Sequence, residues 1–301
     1  MEMKGIAVYG NLRQEGHLRD INRFLRLLAA KVERVWVQKE FCEYLDAKNM
    51  GIRVLIPTED FPADAEALVS IGGDGTFLHA AEWLGGREVP VIGINTGHLG
   101  FLASFSLDES DRLVEMLYRR ECDVERRTVL YMRCDAAPEG YWPFALNELA
   151  VVKRLSSQLL TVRAYIDDHY LADYLADGLV LSTATGSTAY NMSVGGPILE
   201  PTLDSMIISP IAPHSLSMRP LVISGDSEVR LEVFSRVGEC SVALDGRSFS
   251  LPCVDKESGG KAPSPLVISR SPFTVNVIRR PGADFGAILR DKLYWAVAPV
   301  R

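Results

Sequence analysis

The sequence predicts an amino-terminal α/β domain with a parallel sheet, then a mainly β carboxyl-terminal domain whose last helix returns to the first. Two observations carry this. Through the first third of the chain, short apolar runs alternate with segments at helical spacing. Such alternation implies a parallel sheet covered by helices, with ligands at the carboxyl ends of strands. After Arg126, β-branched and aromatic residues come in short runs between turn residues, and few segments keep a helical period. The domains are placed at 1–125 plus 280–301, and at 126–279.

Each element has its own signal. Ile6 to Tyr9 reads as a buried strand, and Leu18, Ile21, Leu25 and Leu28 recur at helical spacing. Val35 to Val37 is the next strand, Phe41 to Leu45 lies in a short helix, and Val54 to Ile56 is a strand before Pro57. Leu68, Val69 and Ile71 end a strand, a helix begins near Thr76, and VPVIGIN is a further strand. In the second domain, Thr161 to Leu171 reads as a hairpin turning at Asp167-Asp168. VALDGRSFSL reads as a second hairpin turning at Asp245-Gly246. KESGGKAPSP is an exposed loop. Phe285, Ile288, Leu289 and Leu293 mark the last helix.

Composition excludes several classes. A hydrophobic content of 47% suits a soluble protein with a sizeable core, and the net charge of −7 argues against general affinity for nucleic acid or anionic membrane. No apolar run approaches the ~18 residues of a membrane span, and the first residues lack the core of a signal peptide. Cys42, Cys122, Cys134, Cys240 and Cys253 are scattered without a C-x-x-C pair. They read as reduced thiols of a cytoplasmic protein, with neither zinc site nor disulfide framework.

Three constellations carry chemistry. The first is GGDGT, Gly72 to Thr76, where glycines between a strand and a helix present bare N–H groups to a phosphate. The alternative is a tight turn in which Asp74 caps the helix. The second is Asn147-Glu148 at the start of an alternating strand, able to grip a diol or amide or to serve as a local turn pair. The third runs from Asp177 to Pro201. There Ser182, Thr183, Thr185, Ser187, Thr188, Tyr190 and Ser193 offer small donors and acceptors with an aromatic face, a composition that suits a nucleoside pocket.

Taken with GINTGHLGFL (93–102), GGPIL (195–199) and RPLVIS (219–224), these motifs resemble the NAD kinases in order and over nearly the whole chain. GGDGT by itself also resembles lipid kinases of the diacylglycerol type and the phosphofructokinases, which do not look like this chain at TGSTAY. The resemblance implies a Rossmann-like first domain. It also implies ATP-dependent phosphorylation of the 2′-hydroxyl of the adenosine ribose of NAD to give NADP, with inorganic polyphosphate as donor in some members. Asp74 matches the general base. The loop Gly72, Gly73, Asp74, Gly75 and Thr76 matches the site of the ATP phosphates. NAD-binding positions match Asp74, Gly75, His79, Phe101, Leu102, Asn147, Glu148 and Asp177. They continue with Thr188, Ala189, Tyr190, Asn191, Met192, Ser193 and Ala212, the last reached from a neighbouring subunit. A homo-oligomer, commonly a tetramer, is implied, and so is a divalent cation, Mg²⁺, held mainly by nucleotide phosphates. One departure stands out: Ala184 occupies a position where the family usually has proline. Two rival readings are a GGDGT kinase acting on a lipid or sugar and a non-catalytic dinucleotide-binding regulator.

Overall fold

The computed structural model describes residues 2–52, 54–97, 100–154, 158–280, 282 and 284–295. His98 and Leu99 of the GINTGHLGFL motif lie outside the described residues, as does the end of the last domain segment, 296–301. Contacts divide the chain into two units, Met1–Arg126 with Val275–Arg301, and Arg127–Thr274.

The first unit is built on an eight-stranded sheet. Its order is Leu55–Thr58, Arg34–Gln38, Gly5–Gly10, Ala67–Ile71, Val91–Asn95, Val275–Arg279 and Asp123–Arg127, with Phe105–Ser106 beside Val91–Asn95. The six strands at the start of that order pair in parallel. Ala67–Ile71 and Val91–Asn95 are buried at every position, as strands covered on both faces must be. The helix Leu18–Lys31 buries Ile21, Phe24, Leu25 and Leu28, the stripe that its spacing predicts. The strand order reverses between Gly5–Gly10 and Ala67–Ile71, so the carboxyl ends of these two strands flank a topological switch point.

The second unit holds two six-stranded sheets in which the strand pairings are antiparallel. One runs Leu221–Ser224, Ser205–Ile211, Gly178–Thr183, Glu148–Val152, Glu239–Leu244 and Arg247–Pro252. The other runs His169–Ala176, Leu160–Ile166, Val229–Phe234, Leu266–Arg270, Leu130–Arg133 and Phe144–Ala145. Side chains of both, including Val151, Leu181 and Met206 from one and Val162, Leu231 and Ile268 from the other, form a single apolar cluster. Both predicted hairpins form. Asp167 and Asp168 have φ of 49° and 63°, and Asp245 and Gly246 have 46° and 85°, the positive pairs that two-residue turns between twisted strands require.

Three features differ from the sequence reading. The sequence places residues 275–279 in the second domain, whereas the strand Val275–Arg279 pairs within the first sheet, so the return begins at Val275 instead of 280. The helix after GGDGT begins at Asp74, two residues before the start near Thr76 that the sequence suggests. The helix Ser110–Arg119, which buries Leu113, Val114, Met116 and Leu117, was not anticipated. Among the described residues no helix is long and apolar enough to cross a membrane, and all five cysteines are free thiols.

Candidate active site

In the first unit, Ala67–Ile71 runs into the glycine turn and the helix Asp74–Leu84 follows at once. Asp74 does not cap that helix. Its Oδ2 accepts the backbone N–H of Phe101 at 2.8 Å, and its Oδ1 accepts those of Leu102 at 3.0 Å and Ala103 at 2.9 Å. Three consecutive amides thus form a nest of the kind that holds anions, and the anion is the protein's own side chain. A carboxylate offers about four lone-pair sites. Among the described residues, one on Oδ2 is left open. Gly100 makes the approach possible, because a Cβ there would lie 1.8 Å from Asp74 Oδ1.

The glycines of the loop serve two different ends. Gly72 is required by the chain itself, since an added Cβ would meet Thr76 Oγ1 at 2.3 Å. A Cβ at Gly73 or Gly75 would meet nothing within 4 Å among the described residues, so packing against these does not demand glycine at either position. Thr76 is buried, and Asn11 reaches it: the Asn11 side-chain amide donates to Thr76 Oγ1 at 3.4 Å, and its backbone N–H donates to Ile71 O at 3.0 Å. Asn11 sits at the switch point, and the sequence reading passed over it because a lone Asn after a strand looks like any turn residue. His79 is exposed on the helix, with Nδ1 3.7 Å from Glu82 Oε2.

In the second unit, Asn147 is buried and Glu148 opens the strand Glu148–Val152. Both are held by their backbone. Asn147 O accepts from Thr183 N–H at 2.9 Å and from Ser182 Oγ at 3.2 Å. On the other side, Asp245 Oδ2 accepts Leu146 N–H at 2.7 Å, and its Oδ1 accepts those of Asn147 at 2.9 Å and Glu148 at 3.1 Å. The Glu148 carboxyl is pushed up to about 7 by burial first and by the Asp245 carboxylate second, against a hydrogen bond from the Tyr190 N–H. Its Oε2 is fully covered and has no hydrogen-bond partner among the described residues, which an ionised carboxylate would not tolerate cheaply.

The hydroxyl run resolves into two groups. Ser182, Thr183 and Ser187 are fully buried and bond internally, Thr183 Oγ1 donating to Leu146 O at 2.6 Å. Asn191 is equally buried: its amide donates to Ser187 O at 3.2 Å and Pro197 O at 3.0 Å, while its Oδ1 accepts from Ser209 Oγ at 2.7 Å. Thr188, Ala189 and Met192 are half-buried, and Tyr190 and Ser193 are exposed. The loop's buried side chains therefore fix its shape, and among its hydroxyl groups those of Thr188, Tyr190 and Ser193 are the ones not fully buried. Asp177 precedes the strand Gly178–Thr183 and pairs with Lys153 Nζ at 2.5 Å. Ala212 follows the strand Ser205–Ile211, exposed and at φ 44°.

Two family models match this chain, the ATP-NAD kinase N-terminal domain over residues 6–122 and the ATP-NAD kinase C-terminal domain over residues 146–257. The chain belongs to the NAD kinase family. Among relatives, the NAD kinase of Bacteroides fragilis is 40% identical over 292 residues, covering 96% of this chain and 97% of that one. The NAD kinase of Porphyromonas gingivalis is 36% identical over 300 residues, 98% of this chain and 99% of the other. Of solved structures, yeast NADH kinase complexed with NADH aligns at a TM-score of 0.85 with 23% identity, covering 100% of this chain and 90% of that one, a likeness of fold. An NAD kinase from Archaeoglobus fulgidus in complex with ATP aligns at 0.67 with 26% identity over 93% of this chain and 94% of that one.

Against the usual NAD kinase pattern, Ala184 in place of proline has a plain structural reading. It is buried with φ −60° and ψ −36°, and it follows Thr183, the last residue of a strand. A proline ring fits that φ, and an extended residue before it is the arrangement that proline favours. Ala184→Pro is therefore expected to leave the KM for NAD within tenfold and to raise the thermal midpoint slightly, through about 0.4–1 kcal/mol of lost unfolded-state entropy. A larger KM change, read in steady-state assays, would show that this loop must flex to bind.

Proposed function

We propose that this NAD kinase family member transfers the γ-phosphoryl group of ATP to the 2′-hydroxyl of the adenosine ribose of NAD, giving NADP. The observation that carries the reading is Asp74, fixed by three amides at the head of a helix with, among the described residues, one lone-pair site open. Phosphoryl transfer asks a protein mainly for in-line placement and charge stabilisation. A ribose hydroxyl is too weak an acid to ionise beforehand, so Asp74 takes its proton at Oδ2 as the bond to phosphorus forms. The helix amino terminus at Gly73 to Thr76 offers N–H groups to the ATP phosphates. Asn147 and Glu148 hold the adenosine part of NAD, and Tyr190, Thr188 and Ser193 shape its pocket together with Ala189, Met192 and Asp177. Phe101 and Leu102 provide an apolar wall beside Asp74, and His79 is a position that can reach the dinucleotide.

Among the described residues no group of three or more His, Cys, Asp or Glu side chains is placed to hold a metal ion. A Mg²⁺ serving this reaction, as the resemblance implies, would take its oxygens chiefly from nucleotide phosphate and water, and when bound it would neutralise the transferring phosphoryl group. A homo-oligomer, tetrameric as the resemblance implies, would bring Ala212 to a neighbouring site, a reading supported by its exposure at the end of a strand. Free thiols support a cytoplasmic setting. Neither the lipid or sugar kinase nor the non-catalytic regulator is favoured, since the relatives matched over almost the full chain are named NAD kinases.

The test is purified protein with NAD, ATP and Mg²⁺, with NADP read through an NADP-specific dehydrogenase. No NADP from the wild type sinks the reading. Within it, Tyr190→Ala is expected to raise the KM for NAD several-fold more than that for ATP, and the reverse pattern would put the two nucleotides on the wrong walls. Glu148 supplies a second check. A carboxyl lifted from its ordinary value of 4.5 to about 7 holds its proton between those values in the free protein. Ribose hydroxyls donating to it favour the carboxylate, so NAD affinity should rise as pH climbs through about 7, and binding at pH near 6 should release a proton. Calorimetry in two buffers of different ionisation enthalpy reads that proton. The release should vanish in Glu148→Gln, and a wild type that releases none would remove Glu148 from the ribose.

A further inference from the structure

We infer that Asp245 is a positioning residue for NAD: it sets the backbone of Leu146, Asn147 and Glu148 from which the adenosine-holding side chains project. The inference rests on the functional reading above, and in particular on Asn147 and Glu148 as the NAD-holding pair.

The sequence offers Asp245 only as half of an Asp-Gly turn, and a turn needs nothing more of it than tolerance of positive φ. The structure gives it a second task. Its carboxylate accepts three consecutive N–H groups, at 2.7, 2.9 and 3.1 Å, from a segment 97 to 99 positions earlier in the chain. A turn residue bonding locally would reach two residues along; this one bridges the end of Glu239–Leu244 to the start of Glu148–Val152. The bridge is continued by Asp245 N–H, which donates to Glu148 O at 3.1 Å. All three side-chain contacts run from donor to carboxylate oxygen, the pattern of an acceptor-only group.

The opposite face of the same segment is pinned as well. Thr183 N–H and Ser182 Oγ donate to Asn147 O, and Thr183 Oγ1 donates to Leu146 O. Leu146 and Asn147 therefore have their amides fixed by one strand end and their carbonyls by another, while Glu148 is held by Asp245 through both its amide and its carbonyl. No ordinary ladder does this, because the segment Leu146–Asn147 precedes the strand. Taking away Asp245's oxygens frees the amide side alone, and the two side chains that grip the ribose lose their angle of approach. The mechanism thus acts on NAD and leaves the ATP phosphates, which the GGDGT helix receives, untouched.

The experiment uses the full-length protein and two variants that keep the turn. Asn accepts positive φ readily, as Gly does, so Asp245→Asn and Asp245→Gly both preserve the hairpin. Asn retains one acceptor oxygen and Gly none. Direct titration should give a Kd for NAD raised about three- to tenfold in Asp245→Asn and more than tenfold in Asp245→Gly, with the Kd for ATP within twofold of wild type in both. A merely structural role would shift both ligands together or neither. Combining Asp245→Asn with Glu148→Gln should give less than the product of the two single effects, since both act on one contact. NAD affinity within twofold of wild type in both Asp245 variants overturns the inference, and so does a parallel loss for ATP. A wild type that forms NADP, with Glu148→Gln binding NAD as wild type does, overturns instead the assignment of Glu148 on which it rests. A wild type that forms no NADP overturns the functional reading itself.

Discussion

Asp74→Asn is expected to lower kcat for NADP formation by about 10²–10⁴-fold, the usual contribution of a positioned base, while KM for NAD moves far less. The structure adds an effect that a plain catalytic substitution would not have. The carboxylate holds three backbone N–H groups, two on Oδ1 and one on Oδ2. An amide has one acceptor oxygen, and its NH₂ would face a donor. At least one of the amides of Phe101 to Ala103 then goes unpaired, at a cost of about 1–3 kcal/mol. The variant should therefore unfold at a lower temperature as well as turn over slowly, and steady-state kinetics with thermal unfolding read the two separately. Full activity in Asp74→Asn would strip it of its role as base and leave it a tether.

Gly100→Ala is expected to approach the same loss with Asp74 chemically intact. A methyl at this position would sit 1.8 Å from Asp74 Oδ1, well inside contact distance, and the short carboxylate cannot swing away without giving up Leu102 and Ala103. Either the loop or the carboxylate moves, and a displacement of about 1 Å at a reacting group can cost about 10²-fold. The pair of variants separates chemistry from placement. If Gly100→Ala keeps wild-type kcat, the amide nest is not what sets the base. If its kcat falls while an added Asp74→Asn lowers it no further, placement is the whole of its effect.

How much of this could be read in the sequence depends on whether the cause is local. The strand Ala67–Ile71, the helix Leu18–Lys31 and both hairpins are written in spacing and turn chemistry within one segment, and they stand where the sequence puts them. The helix Ser110–Arg119 has a regular apolar stripe and is legible in principle, although the sequence reading above does not include it. Val275–Arg279 reads as one more β segment among many, and nothing in its own residues says that its partner is Val91–Asn95. The site divides in the same way. GGDGT, Asn147-Glu148 and TGSTAY are visible as motifs, whereas the bonds from residues 101–103 to Asp74 and from residues 146–148 to Asp245 join distant segments through backbone N–H groups. Backbone amides have no letter in the sequence. Asn191 is a similar case: among the described residues its side chain bonds to Ser187, Pro197 and Ser209, links that the sequence does not show.

The place of Val275–Arg279 between Val91–Asn95 and Asp123–Arg127 governs the order in which the molecule can be made. As the chain leaves the ribosome, residues 1–126 emerge first, yet Asp123–Arg127 lacks its neighbour until residue 279 has followed. The second unit, Arg127–Thr274, is one uninterrupted stretch and can close beforehand. The first of the two units to emerge is thus the last to be finished, with an unpaired strand edge open for the whole interval, the kind of edge on which nascent chains aggregate. A chain truncated after Thr274 would arrest at that stage.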